Sequence, residues 1–539
     1  MMNLRNAARV SVSTIALAVL SSPVRAATIS VPAGGDLHGA LTNAQPGDTI
    51  VLEPGATYVG NFTLPNRSGA SYITLQTSPD GLPGDGARVA PGQSLAKLRS
   101  PNSAPALQTS PGAHHWRIML VEFLANPAGA GDIITLGDGS PAQNTLALVP
   151  HDLIVDRCYI HADPGSPQKR GIALNSASTT ITGSYIAGMK AVGQDSQAIA
   201  GWNGPGPYTI TNNYLEGAGE NVIFGGADPA IPNLVPSDIT VAGNTIVKLT
   251  AWRSQNWSVK NLLELKNARR VSIHDNAFEY NWQAGQSGFA ILFTVRNQDG
   301  GCPWCQVEEV VFQDNIVRHS AAGLSILGFD NVHPSQQTRS IVIRNNIFAD
   351  IDNRNWGGNG YFLMLLGGAR DITVDHNTVI QDEAYGILTV DGPPVLGFVF
   401  TNNVARQNAY GMIGADRAPG LDTISAFFPG AQIEGNALAD VDPARYPDGN
   451  RFPSSAEFRA QFVAYAAGDY RLTASSAWRG AGIDGRDLGA SFDAAAADRR
   501  FLARPKEGVI GALTNAVFSV IKKPLAALTV DDILVLLKL

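Results

Sequence analysis

Long apolar runs are missing from this sequence. Nowhere past the N-terminus do 18 uninterrupted apolar residues occur, which excludes a membrane-spanning helix. The early run from Val10 to Leu20 is too short to span. With Arg5 and Arg9 before it and Val24-Arg25-Ala26 after it, residues 1–26 read as a secretory signal. An excess of basic residues is also missing. The formal charge is −7, and loss of Arg5, Arg9 and Arg25 with the signal would take it to −10. That balance argues against a nucleic-acid partner and against an anionic membrane surface. Charged residues make up only 16% of the chain while glycine reaches 56 positions, the composition of an ordered, turn-rich protein that is secreted or periplasmic. Cysteine is scarce, at three residues. In an exported chain Cys302-Pro-Trp-Cys305 reads as a disulfide pinning its loop. Two cysteines without neighbouring ligands make a poor zinc site, and no helix pattern follows that would fit a redox motif.

What the chain does contain is a repeated six-residue phrase: apolar, two mostly polar residues, a small or amide residue, any residue, apolar. It runs from Val155-Asp-Arg-Cys-Tyr-Ile160 to Ile433-Glu-Gly-Asn-Ala-Leu438. Its fourth position is Cys158, Ser184, then Asn213, Asn244, Asn276, Asn315, Asn346, Asn377, Asn403 and Asn436, mostly 26 to 33 residues apart. A period of that length with short apolar strands marks a solenoid. The repeats are too rich in Gly, Asn and β-branched residues to be helical. The fold expected is all-β, a single-stranded right-handed parallel β-helix. Each corner Asn is expected near the left-handed region, stacked on its neighbour at the ~4.8 Å strand spacing and donating to it. Cys158 and Ser184 open this ladder, with Cys158 as a buried thiol.

Along the chain, residues 27–150 read as an N-terminal cap with first, irregular coils, and 151–490 as the regular coils. In the cap, Asp36 starts a short amphipathic helix over Leu37 to Ala44 that plugs the open end. Asp469-Tyr-Arg-Leu472 and Asp487-Leu-Gly-Ala490 read as the closing coil. Residues 491–539 are expected to form a short helical extension ending in Val530, Ile533, Leu534, Leu536 and Leu537. The capped helix, the Pro46-Gly-Asp-Thr-Ile-Val-Leu52 phrase, the Asn corners and strands such as Gly171-Ile-Ala-Leu174 resemble the pectate-lyase-like β-helix superfamily. The opening resembles polysaccharide lyase family six in particular, the alginate lyases and chondroitinase B.

Chemistry on such a scaffold belongs on outward strand positions. Asn261-Leu-Leu-Glu-Leu-Lys-Asn267 alternates Leu263 and Leu265 with Glu264 and Lys266. One coil on, Phe293-Thr-Val-Arg-Asn297 alternates Phe293 and Val295 with Thr294 and Arg296. Aligned on their terminal Asn, the strands place Lys266 beside Arg296 and Glu264 beside Thr294. The preceding coil offers Glu220 and Asn221, with Asp228 just beyond. The family resemblance implies Lys266 as a catalytic base, Arg296 as its arginine partner, and Glu264 and Asn221 as ligands of a calcium ion. The bland alternative is a cross-strand ion-pair patch. Trp252, Trp257, Trp282, Trp304 and Trp356, with Trp202, fall in loop-like sequence suited to walling a sugar groove, though about half of the six would cover the core instead. His274, His319 and His376 read as solvated corner residues. The reading is a monomeric, secreted polysaccharide lyase acting by β-elimination on a uronate glycan. An inverting glycosidase using Asp228, Glu220 or Asp299, or a non-catalytic glycan-binding scaffold, are the alternatives.

Overall fold

The computed structural model describes residues 26–127 and 129–492. Most of the segment read as a signal (1–26), up to residue 25, and of the expected helical extension (491–539), from residue 493 onward, lies outside the described residues. Three parallel sheets of 14, 13 and 12 strands run the length of the molecule, each strand paired with its equivalent one coil away. We call them the first, second and third sheets in the order the chain visits them. One coil is Val307–Gln313 in the first, Ile316–Ser320 in the second and Ala322–Leu327 in the third. The chain is a right-handed parallel β-helix.

Alternation builds the core. In the first sheet Ile118, Val155, Ile181, Ile210, Val241, Ile273, Phe312, Ile343, Val374 and Phe400 form one inward row, all essentially unexposed. A one-residue slip would turn that whole row to solvent, so the register is strongly specified.

The Asn ladder is present and longer than the repeat indicates. The backbone N–H and Nδ2 of Asn213 both donate to Asn244 Oδ1, at 2.9 and 3.1 Å. The same pair of bonds links each later member through Asn436, which donates to Asn450 at 3.0 and 2.9 Å. At the other end Ser184 N–H donates to Asn213 Oδ1 and Cys158 N–H to Ser184 Oγ. The bend, however, is one residue earlier than expected. Left-handed φ belongs to Asn212, Asp275, Asp314, Asn345, His376 and Asn402, and to Gly183, Gly243 and Gly435, and not to the ladder residues. The ladder Asn must aim its own N–H along the stack, so the residue before it makes the turn.

Coils begin at Thr28, well before residue 151. Thr49–Leu52, Thr57–Val59 and Phe62–Leu64 already supply all three sheets. Their corners lack the Asn phrase, which is why they read as irregular. The helix Leu37–Asn43 caps this end, with Asp36 accepting from Gly39 N–H and Leu37 and Leu41 buried. At the other end the segment expected as a closing coil departs from the solenoid. Phe462–Ala464 and Asp469–Leu472 pair antiparallel. Phe458, Phe462 and Trp478 then pack on Ile347, Ile380 and Val404. Pro443, Pro447 and Pro453 lack the N–H groups that another rung requires. Cys302 and Cys305 are joined in a disulfide, and Cys158 is a buried free thiol.

Candidate functional site: a charged trough on the third sheet

A concavity of about 680 Å³ lies on the outer face of the third sheet. Its walls include Asp132, Arg170, Asp195, Gln197, Trp202, Lys260 and Lys266. The residues that begin successive third-sheet strands form a rung-by-rung polar row: Asp132, Arg170, Gln197, Glu220 and Asn261. Arg170 Nη1 pairs with Asp132 at 2.8 Å and its Nε donates to Gln197 Oε1 at 3.0 Å. Gln197 Nε2 donates to Glu220 Oε2 at 2.9 Å. The Arg170 guanidinium lies over the Trp202 ring at 5.0 Å, and Trp202 is fixed by its own Nε1–H on the Gly139 carbonyl.

Two buried carboxylates contact the lining residues Gln197, Lys260 and Lys266 from behind. Glu220 is 1% exposed and Glu264 is 2% exposed. Lys260 Nζ lies 3.4 Å from Glu220 and 2.6 Å from Asp195. Lys266 Nζ lies 3.4 Å from Glu264 Oε1, which also accepts from Thr294 Oγ1, while Asn261 Nδ2 donates to Glu264 Oε2. Burial, with Glu264 and Asp195 adding like charge, raises the Glu220 pKa above the ordinary glutamate value. Burial pulls Lys260 down, but Glu220 and Asp195 outweigh it and its pKa is raised.

The predicted residues are only partly gathered here. Lys266 lines the trough, and Glu264 and Glu220 are buried partners of its lining lysines Lys266 and Lys260. Arg296 is not among its walls: its Nη1 is held by Asp330 at 2.5 Å and Asn331 at 2.7 Å. The register pairs Leu265 with Phe293 and Glu264 with Leu292, two residues from the alignment on terminal Asn. The backbone still links the two coils, since Arg296 N–H donates to the Lys266 carbonyl. Asn221 faces inward. Its Nδ2 donates to the Leu215 and Val247 carbonyls, and its Oδ1 accepts from Lys248, so it does not reach a metal on the outer face. Asp228 accepts from the N–H groups of Gln298, Asp299 and Gly301, and so secures the disulfide loop. Trp252, Trp257, Trp282 and Trp356 pack with one another beside the solenoid, off the trough. Trp304 donates to the Leu234 carbonyl. Loop-like sequence does not say which way a loop folds, and these loops return to cover apolar surface. His376 is likewise buried, between Asp375 and Asp484.

Reading the sequence missed Arg170, Gln197 and Lys260. The signal was available: each polar row member stands two residues before the inward aliphatic of its strand, as Arg170 precedes Ile172 and Glu220 precedes Val222. It also missed Lys248, whose fully buried ammonium donates to the carbonyls of Gly217, Ala218 and Gly219 and to Asn221 Oδ1 at 2.7 to 3.1 Å. Burial pulls its pKa down to about 7, against a raising contribution from Glu220. It fixes the turn that leads into Glu220.

Among the described residues Glu220 Oε1 and Asn261 Oδ1 are buried oxygens that accept no hydrogen bond, although Lys260 Nζ pairs with Glu220 Oε1 at 3.4 Å. With Glu264 they form an all-oxygen set of the kind that suits a hard cation such as calcium. Asn221, turned inward, is not among these oxygens.

No family model and no curated protein matches the sequence. Solved structures do match in fold. The chain is similar to the family-six alginate lyase AlyGC, at 14% identity and a TM-score of 0.53 over 86% of this chain and 56% of that one. It is also similar to the catalytic unit of a thermostable GH87 α-1,3-glucanase from Streptomyces thermodiastaticus strain HF3-3 (13% identity, TM-score 0.45, covering 80% and 70%). A mannuronic acid-specific family-six lyase from human gut microbiota matches at 13% identity and a TM-score of 0.42, covering 79% and 91%. The chain thus spans little more than half the length of AlyGC, and the likeness is one of fold. That fold is the parallel β-helix. Among the described residues no helix is long and apolar enough to cross a membrane.

Proposed function

We propose that this is an exported polysaccharide lyase that cleaves a uronate-bearing glycan by β-elimination in the trough. The observation that carries the reading is the convergence of Arg170, Lys260 and Lys266 with a ring-stacking Trp202 in one open concavity. Positive groups answer the uronate carboxylate, and an indole face answers the pyranose ring. The trough lies on a rigid sheet, which holds these groups in place without reorganisation.

The chemistry assigns roles to the residues at hand. Arg170, with Nη2 making no hydrogen bond among the described residues, and Lys260 neutralise the uronate carboxylate and so acidify the adjacent C–H. Lys266 is the group assigned to take that proton. The released electron pair forms the C=C bond, the bond to the glycosidic oxygen breaks, and a proton returns to that oxygen; no water is consumed. A calcium ion held by Glu220, Asn261 and Glu264 would add positive charge beside the same carboxylate. Arg296, expected to share this work, instead orders the loop at Asp330 and Asn331.

The test is incubation with alginate, pectate, chondroitin and glucuronan, with and without calcium, followed by ultraviolet absorbance. An absorbance rise that is lost in Lys266→Ala supports the lyase. Reducing ends without absorbance would replace it with a hydrolase, and neither product would leave a glycan-binding scaffold.

A further inference from the structure

Beyond the trough, the outer face of the third sheet changes character. Opposite Glu264 in the next coils stand Leu292, Ser325, Met364, Thr389 and Ile413, none of them charged. Along their edge Tyr361, Tyr385 and Tyr410 precede three consecutive strands, Leu363–Leu366, Leu388–Asp391 and Met412–Gly414. Their rings meet edge to face at 6.2 and 6.3 Å, at angles of 88° and 85°. Tyr361 is buried against Phe289 and Ala322. Tyr385 and Tyr410 are 48% and 46% exposed, among the most open large side chains of the described residues. Backbone bonds hold them rigidly: Tyr410 N–H donates to the Tyr385 carbonyl at 2.7 Å, and Tyr385 N–H to that of Asn359 at 2.8 Å.

We propose that Tyr385 and Tyr410, backed by Tyr361, are a distal subsite that stacks sugar rings of the glycan whose cleaved segment lies in the trough. The inference rests on the proposed glycan reading and extends it along the solenoid axis. Two rings on a rigid scaffold, half exposed and bearing hydroxyls, suit the C–H faces and hydroxyls of pyranoses. The uncharged strip tolerates sugars whose carboxylates point away into water. Continuity selects a glycan: the strip lies on the same face as the trough, four to five coils from Lys266. At the ~4.8 Å coil spacing that is about 19 to 24 Å, so only a long chain occupies both.

The experiment is equilibrium binding by calorimetry, using polymeric and tetrasaccharide forms of alginate, pectate, chondroitin and glucuronan. The proteins compared are the Lys266→Ala chain, in which turnover is prevented and both tyrosines are kept, and the same chain with Tyr385→Ala and Tyr410→Ala added. The expected result is about a tenfold loss of affinity for the polymer in the double variant, with tetrasaccharide affinity unchanged. Equal polymer affinity in both proteins overturns the subsite alone. An equal loss for polymer and tetrasaccharide overturns it in favour of a structural role. No binding of any glycan by the native face overturns the subsite together with the reading it rests on. A native dimer in light scattering that becomes monomeric in the double variant would assign the strip to a second copy of the chain, and also overturns the proposal.

Discussion

Between Asp132 and Lys266 the outward positions of the third sheet include Arg170, Gln197, Glu220, Asn261 and Glu264. Between Phe289 and Ile413 they include Leu292, Ser325, Met364 and Thr389. The inward row beneath makes no such change. Ile134, Ile172, Ile199, Val222, Leu263, Ile291, Leu324, Leu363, Leu388 and Met412 are all buried aliphatics in one register. The second stretch of this sheet folds with one charged strand residue, the exposed Asp391, so the solenoid has little structural need for charge there. Burying Glu220 and Glu264 costs desolvation, and on the third sheet that cost is borne beside the trough. The difference separates what the fold requires from what a ligand would require.

The comparison can be broken most sharply at Lys266. Lys266→Ala is expected to lower turnover of the glycan that proves to be the substrate by on the order of 10³-fold, the usual scale for loss of a general base, with the melting temperature unchanged. A matched fall in both would return Lys266 to the role of a structural ion-pair partner. Inward substitutions should ignore the boundary. Leu263→Ala under the trough and Leu388→Ala under the aromatic strip should each destabilise by about 3 kcal/mol in urea unfolding, equal within about 1 kcal/mol. A large inequality would show that the charged half is held differently.

Glu220→Gln sharpens the comparison through pH. The raised pKa means the folded chain keeps a proton that the unfolded chain has released. This group therefore costs stability as pH rises from the ordinary glutamate value through its raised one. Glu220→Gln should remove that fall in the urea midpoint over this window, while an unchanged slope would place the carboxyl outside its assigned environment. The smallest effect is expected at Arg296→Ala. Because its guanidinium is committed to Asp330 and Asn331, turnover should fall less than about threefold; a loss matching Lys266→Ala would restore it to the reaction.

Much of the architecture was legible because it repeats. A corner Asn returning every coil, with an aliphatic on each side, leaves few folds open, and Asn213 through Asn436 form the ladder that their spacing implies. Asn450 was hidden because no strand phrase surrounds it, and the early coils because their corners lack Asn. The site was less legible. Lys266 and Glu264 stood out through alternation in one strand, whereas Arg170, Gln197 and Lys260 belong to different coils and meet only through stacking.

The sequence by itself determined the parallel β-helix, its inward rows and its amide ladder, because period-two burial and a repeating corner are local properties summed over many coils. Only the tertiary structure decided which side chains share the trough. Neighbours across a rung are separated by loops of unequal length, and the direction of a side chain at a corner depends on packing. Asn221 turned inward to Lys248 while Glu220, one residue earlier, turned out to Gln197 and Lys260. No pattern along the chain distinguishes those two directions at a strand's first residues, where the alternation has yet to begin.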